Sequence, residues 1–167
     1  IDTDVHYKID ETSRMITNTD GTMQTISQYD HNSARYTFEI PRYVDGHDFA
    51  ECNLVQVHYH NANKYGKIIS SGVYVVDDLH IKENDPGTVS LSWLISASAT
   101  QAEGALNFSV RFSWVQDDKV VYAWNTAVYK GISVIESLYN SESVVDDNAD
   151  MFAAIVARLA KLENIVL

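Results

Sequence analysis

From Leu106 to Trp114 apolar and polar side chains alternate, with Leu106, Phe108, Val110, Phe112 and Trp114 on one face and Asn107, Ser109, Arg111 and Ser113 on the other. A period of two is that of a strand buried on one side. After Gln116-Asp117-Asp118-Lys119, a second run places Val120, Tyr122, Trp124, Thr126 and Val128 on one face and Val121, Ala123, Asn125 and Ala127 on the other. Two such runs joined by a short polar turn predict an antiparallel hairpin, and their aromatic and β-branched side chains suit a pleated, half-buried surface. This hairpin is the expected centre of an all-β core.

Weaker runs of the same kind fill the rest of residues 1–138. Ile1 to Ile9 is a polar run that predicts an edge strand. Met15 to Tyr29 is interrupted by Asn18-Thr19-Asp20-Gly21, and Asp-Gly between extended runs predicts a type I′ hairpin. Arg35 to Ile40 alternates Tyr36, Phe38 and Ile40 with Thr37 and Glu39, and Pro41 removes a ladder donor and ends the run. Leu54 to His60, Gly72 to Val76 and Leu79 to Lys82 follow, then the turn Asn84-Asp85-Pro86-Gly87. Val89, Leu91 and Trp93 alternate with Ser90 and Ser92. Alanines between a possible Ser96 cap and Gly104 predict a short helix, and Gly131 to Ile135 offers a last strand. Strand-like runs at a spacing of about 8–12 residues describe an antiparallel β-sandwich. No run is long enough for the helix of a βαβ unit, and no repeat stands at a fixed period.

The texture changes after Leu138. Residues 139–150 are polar and acidic and read as a linker, and residues 151–167 read as a C-terminal α-helix. There Phe152, Leu159 and Val166 take heptad position a and Ile155 and Leu162 position d, the seam of a short coiled coil. Arg158 at g and Glu163 at the following e face each other between neighbouring parallel helices. Val156 and Ile165 widen the apolar surface, which suits two neighbours per helix better than one, while the a and d residues are too mixed to fix the number. The other reading is an amphipathic helix folded back on the sandwich.

Composition narrows the partners. With 12 Lys and Arg against 23 Asp and Glu, the 167-residue chain carries a formal charge of −11. That excludes nucleic acid and anionic membrane surfaces as expected partners, since both need a positive face. Cys52 is the single cysteine, so no intramolecular disulfide forms, and a small buried apolar role is expected. No stretch of about 18 apolar residues and no signal-peptide pattern is present. The sequence begins at Ile1 without a methionine, as a processed or trimmed piece of a longer protein would.

Candidate chemistry is sparse. His58 and His60 stand at i and i+2, so on a strand they share a face and can offer two imidazoles to one metal. They are weak candidates, because no further His or Cys stands at a recognisable spacing, and neither a metal nor a cofactor is expected. There is no nucleophile elbow, no His-Glu-x-x-His and no Walker loop, so no catalytic residue is named. The 10 Tyr and 3 Trp fall mostly on inward positions. Tyr43, Tyr65 and Tyr139, in expected loops, are the rings free to stack on a sugar or anchor a partner.

Five segments in order carry a resemblance: Ile1-Asp2-Thr3-Asp4, Arg35-Tyr36-Thr37-Phe38-Glu39-Ile40-Pro41-Arg42, Val57-His58-Tyr59-His60-Asn61-Ala62, Ser92-Trp93-Leu94-Ile95 and Tyr122-Ala123-Trp124-Asn125-Thr126. Together they resemble the N-terminal sandwich domain of phage and prophage baseplate upper proteins and related minor tail proteins of Gram-positive hosts. The resemblance implies a virion structural adaptor, made in the bacterial host cytoplasm. It would dock on other tail or baseplate proteins and pass through a helical stalk towards a receptor-binding part, and the threefold organisation of such tail organelles implies a homotrimer. The alternative is a carbohydrate-binding β-sandwich module for cell-surface glycan. An adaptor predicts a large exposed apolar patch, and a glycan module a concave aromatic groove with convergent polar groups.

Overall fold

The computed structural model describes residues 3–20, 24–138 and 156–160. In chain order its strands are β1 (Thr3–Ile9), β2 (Ile16–Asn18), β3 (Gln24–Ser27), β4 (Ala34–Pro41), β5 (Tyr43–Val44), β6 (His47–Asp48), β7 (Leu54–Asn63), β8 (Ile68–Val75), β9 (His80–Ile81), β10 (Thr88–Leu94), β11 (Gly104–Gln116), β12 (Lys119–Asn125) and β13 (Tyr129–Ile135). One sheet runs β2-β1-β4-β10-β9, the other β3-β13-β11-β7-β8 with β12 also on β11, and β5 and β6 form a two-stranded ribbon. All of these strands belong to one compact unit, Ile1–Ser137, and the described residues 156–160 belong to a second. No described helix is long and apolar enough to cross a membrane.

The two sheets close on an aromatic core. Tyr7, Phe38 and Trp93 from the first sheet meet Phe108 of β11 with ring centroids at 6.0, 5.5 and 5.1 Å. Edge-to-face and tilted geometries of this kind suit the ring quadrupoles. At the other end of β11, Phe112 packs on Phe49 at 5.0 Å and on Trp124 at 6.0 Å. Phe49 comes from a single 3-10 turn, Phe49–Glu51, which Asp48 caps by accepting from the Ala50 N–H.

The central hairpin is present. Asp117 and Asp118 both take positive φ, 53° and 61°, as a type I′ connection requires. Its faces differ from strict alternation, because the register shifts between Trp114 and Val115. Val120, past the shift, is exposed, and so is Val128, beyond the end of β12 at Asn125. Ser113 stands before the shift, in unbroken register with Leu54 and Ala123, and is buried all the same.

Three expectations near the N-terminus and in the middle need correction. The run 1–9 is not an edge: β1 lies between β2 and β4, with Val5, Tyr7 and Ile9 buried. The Asp20-Gly21 hairpin does not form, because β2 pairs with β1 in one sheet while β3 pairs with β13 in the other. The true hairpin is β1–β2. Its turn is built by Asp10, whose Oδ1 accepts from the N–H groups of Thr12 and Ser13 at 2.8 and 2.7 Å, with Arg14 at φ 66°. An Asx-type turn here outcompetes the glycine signal downstream. The helix expected from Ser96 is only a 3-10 turn, Ala97–Ala99, and the Ser96 side chain makes no cap bond. Its hydroxyl meets that of Ser98 at 2.7 Å instead.

The sandwich is also not purely antiparallel. The β1–β4 and β3–β13 ladders are parallel, since in each case the chain crosses between the layers before returning.

Candidate functional site

Sheet two ends in β8, which reaches its position through the loop Asn63–Lys67. The Asn63 side chain accepts from the N–H groups of Tyr65 and Lys67, both at 3.0 Å, and Gly66 takes φ 83°. On the inner face of β8, Gly72 lies opposite Tyr59, and a Cβ there would stand 2.5 Å from the Tyr59 hydroxyl. The missing side chain lets the Tyr59 ring lie over the strand, stack on Trp93 at 5.3 Å and reach the Ser98 hydroxyl at 2.5 Å. Ser70 donates to the Ser98 carbonyl at 2.5 Å. The inner face is thus tied to the 3-10 turn.

The outer face is apolar and open. Ile68, Ile69, Val73 and Val75 are 54, 46, 50 and 57% exposed. Beside them a shallow depression of about 230 Å³ includes His58, His60, Ser71 and Asn107 in its lining. His58 and His60 share this face, as the spacing of two predicted. The His58 Nε2 lies 3.3 Å from Gln56 Oε1, and the His60 Nε2 lies 3.1 Å from the Asn107 amide. Among the described residues no group of three or more His, Cys, Asp or Glu side chains is placed to hold a metal.

A larger cleft of about 490 Å³ opens over the first sheet, lined by Lys8, Asp10, Thr17, Glu39, Lys82 and Asp85 among others. Lys82 and Glu39 form an ion pair across 2.7 Å, which raises the lysine pKa above its ordinary value through the hydrogen bond and the charge of Glu39. No aromatic ring lines this cleft. The exposed rings are elsewhere: Tyr43 in β5, with the Arg42 guanidinium 5.1 Å from its centroid, and Tyr65 in the β7–β8 loop, near Lys64. The half-buried His47 stacks flat on Tyr122 at 3.6 Å and lies beside Trp114 at 5.6 Å, so one face of its ring is taken up by these contacts.

Titratable groups in the core are held neutral. Burial pushes the Tyr7 and Tyr36 phenols and the Cys52 thiol upward. Cys52 is buried, as expected, and its Sγ donates to the Ser113 carbonyl at 3.1 Å. Such a thiol packs and does not react.

Of the residues expected to mediate oligomerisation, Arg158 and Leu159 lie in the described helical segment and are exposed. Phe152, Ile155, Leu162, Glu163, Val166 and the loop residue Tyr139 lie outside the described residues. The sequence reading caught the second half of β8, as the run Gly72 to Val76, and missed its first half and its exposed apolar row. Its signal was available: Ile68 to Val75 is eight residues without a charge.

No family model matches the chain. No curated protein matches it. Among solved structures, it is similar to the N-terminal domain of phage TP901-1 ORF48, with a TM-score of 0.47 and 15% sequence identity over 80% of this chain and 97% of that one.

Proposed function

We propose that the protein is a non-enzymatic structural component of a phage tail or baseplate, an adaptor that docks through its sandwich and continues into a self-associating C-terminal helix. The observation that carries this reading is the ordered set of resembling segments. Four of them fall in the framework of both sheets, in β4, β7, β10 and β12. The exposed strip on β8 favours docking over glycan binding, because a run of β-branched side chains offers apolar area and no ring on which a sugar can stack. Among the described residues, the cleft over the first sheet is lined by no such ring either.

In this reading the helices pair in parallel as a homotrimer, with Phe152, Ile155, Leu159, Leu162 and Val166 in the seam and Arg158 facing Glu163 of a neighbouring helix. A seam of little more than two heptads is marginal alone, so the sandwich shares the interface. The partners are other tail or baseplate proteins, the location is the virion, and synthesis takes place in the host cytoplasm. Size exclusion with light scattering tests it. The protein is expected to run as a defined oligomer at tens of micromolar, and Leu159→Asp to lower its mass while the β-sheet circular dichroism stays unchanged. A monomeric unmodified protein would refute the reading.

A further inference from the structure

The open edge of β8 carries one inference further. Val76 donates its N–H to the Val55 carbonyl at 2.9 Å, which fixes the phase of the ladder. Tyr74 and Gly72, opposite Val57 and Tyr59, therefore exchange bonds with β7, while Ser71, Val73 and Val75 turn their N–H and C=O groups away from it. No described strand pairs on that side.

Natural sheets protect such edges with short strands, charges, proline or covering loops. The other edges here follow the rule: β2, β3 and β9 have three, four and two residues. The edge at β12 opens with Lys119 and is covered at its far end, where Arg14 Nη1 donates to the Asn125 carbonyl at 3.1 Å and Ala127 donates to the Arg14 carbonyl at 2.9 Å. Among the described edge strands β8 is the long one, with eight residues and neither charge nor proline, and its one irregularity, a bulge at Ile69, lies near its start and leaves Ser71 to Val75 in regular register.

We infer that this edge is a pairing site for a second copy of the same chain, which adds its own β8 antiparallel across a two-fold axis near Val73. Resting on the docking role proposed above, the assignment names the occupant. The ends of the strand argue for self-pairing, since exposed Lys67 precedes β8 and exposed Asp77 follows it. Antiparallel addition brings Lys67 of each copy to the end of the strand where Asp77 of the other stands. With Val73 at the axis, Ser71 lies opposite Val75, and all three residues direct their backbone groups at the newcomer. The exposed Val73 and Val75 side chains of both copies then share one sheet face. In a chain with a net charge of −11, an uncharged edge with opposite charges at its two ends is where two copies approach with least repulsion.

Cross-linking and mass together test the pairing on the full chain. Val73→Cys places two thiols at the axis, within the reach of a disulfide. Val121→Cys, at the 61% exposed valine of β12, is the control. Mild oxidation is expected to link the first variant into dimers and leave the second unlinked. Val73→Lys is expected to halve the light-scattering mass without changing the melting temperature. Asp77→Lys should weaken the pairing, and Lys67→Asp together with Asp77→Lys should restore it. An unchanged mass for Val73→Lys, or equal cross-linking of the two cysteine variants, would overturn the inference, the second result marking random collision. A peptide or other protein as occupant would give an unlinked Val73→Cys, and that too would overturn it. Failure of the helix reading looks different, because Leu159→Asp would then leave the mass unchanged while Val73→Cys still cross-links.

Discussion

Replacing Phe112 with alanine and, separately, Ser113 with alanine sets two neighbours in β11 against each other with opposite expected signs. Phe112 is fully buried, with rings at 5.0 Å from Phe49 and 6.0 Å from Trp124. Removing it forfeits the transfer free energy of the ring and leaves a cavity between two aromatic walls that cannot collapse onto each other, a loss of about 3–5 kcal/mol. Ser113 is 1% exposed and its hydroxyl has no hydrogen-bond partner. An unsatisfied buried hydroxyl costs about 1–3 kcal/mol of desolvation, so Ser113→Ala is expected to be neutral or to gain up to about 1 kcal/mol, the lost packing offsetting part of the relief. Urea unfolding followed by tryptophan fluorescence reads both. With a slope of about 2 kcal/mol per molar, Phe112→Ala lowers the midpoint by about 2 M, and Ser113→Ala leaves it or raises it slightly. Coincident midpoints would refute the assignment of the inward face. A loss above about 1 kcal/mol for Ser113→Ala would show that the hydroxyl is satisfied after all.

Two further predictions concern particular contacts. Gly104 opens β11 at φ 152°, and a Cβ there would lie 2.1 Å from the Ala62 carbonyl oxygen. The obstacle is backbone in the neighbouring ladder, so Gly104→Ala should cost more than about 2 kcal/mol in urea unfolding, beyond the usual glycine-to-alanine change. Arg42 donates from Nε and Nη2 to both Asp48 oxygens at 3.0 Å, and this pairing, with the Ala50 N–H, holds the Asp48 carboxyl below its ordinary value. A depressed folded-state pKa contributes stability that is present above the unfolded value, about 3.9, and is lost as pH falls through the folded one. The melting temperature of the unmodified protein should therefore drop more steeply below pH 4 than that of Asp48→Asn, and parallel curves would show that the pair contributes nothing.

The parts of the fold that the sequence made legible are those where one face is buried and the other is not. Phe108, Val110 and Phe112 alternate with Asn107, Ser109 and Arg111, and the structure reproduces that order through Phe112. Partner choice was less legible, because it depends on residues distant in sequence. Asp20-Gly21 is a competent turn, yet β1 is already paired by β2 through the Asp10 turn, and β3 finds its ladder on β13, more than 100 residues later. A local propensity cannot report that competition. The same holds at Ser113, which alternation assigns to the outer face and which is buried there beside Leu54 and Ala123, the partners that the two ladders bring to it.

The β8 strip was hidden for a related reason. Tyr74 points inward and Val73 and Val75 outward, so both faces carry apolar side chains, a pattern that in a sequence reads like a strand buried on both sides. Only the sheet order distinguishes the cases, by ending at β8. His58 and His60 present the converse case, since their shared face was readable from the spacing while the residues that the ladders bring beside them were not. The neighbours on that face, Ser71, Asn107 and Ser109, come from strands the ladder register selects, and they carry hydroxyls and an amide where a metal centre would need imidazoles, thiolates or carboxylates. What distinguishes this surface chemically is therefore the exposed valine and isoleucine row beside the histidines, Ile68, Ile69, Val73 and Val75.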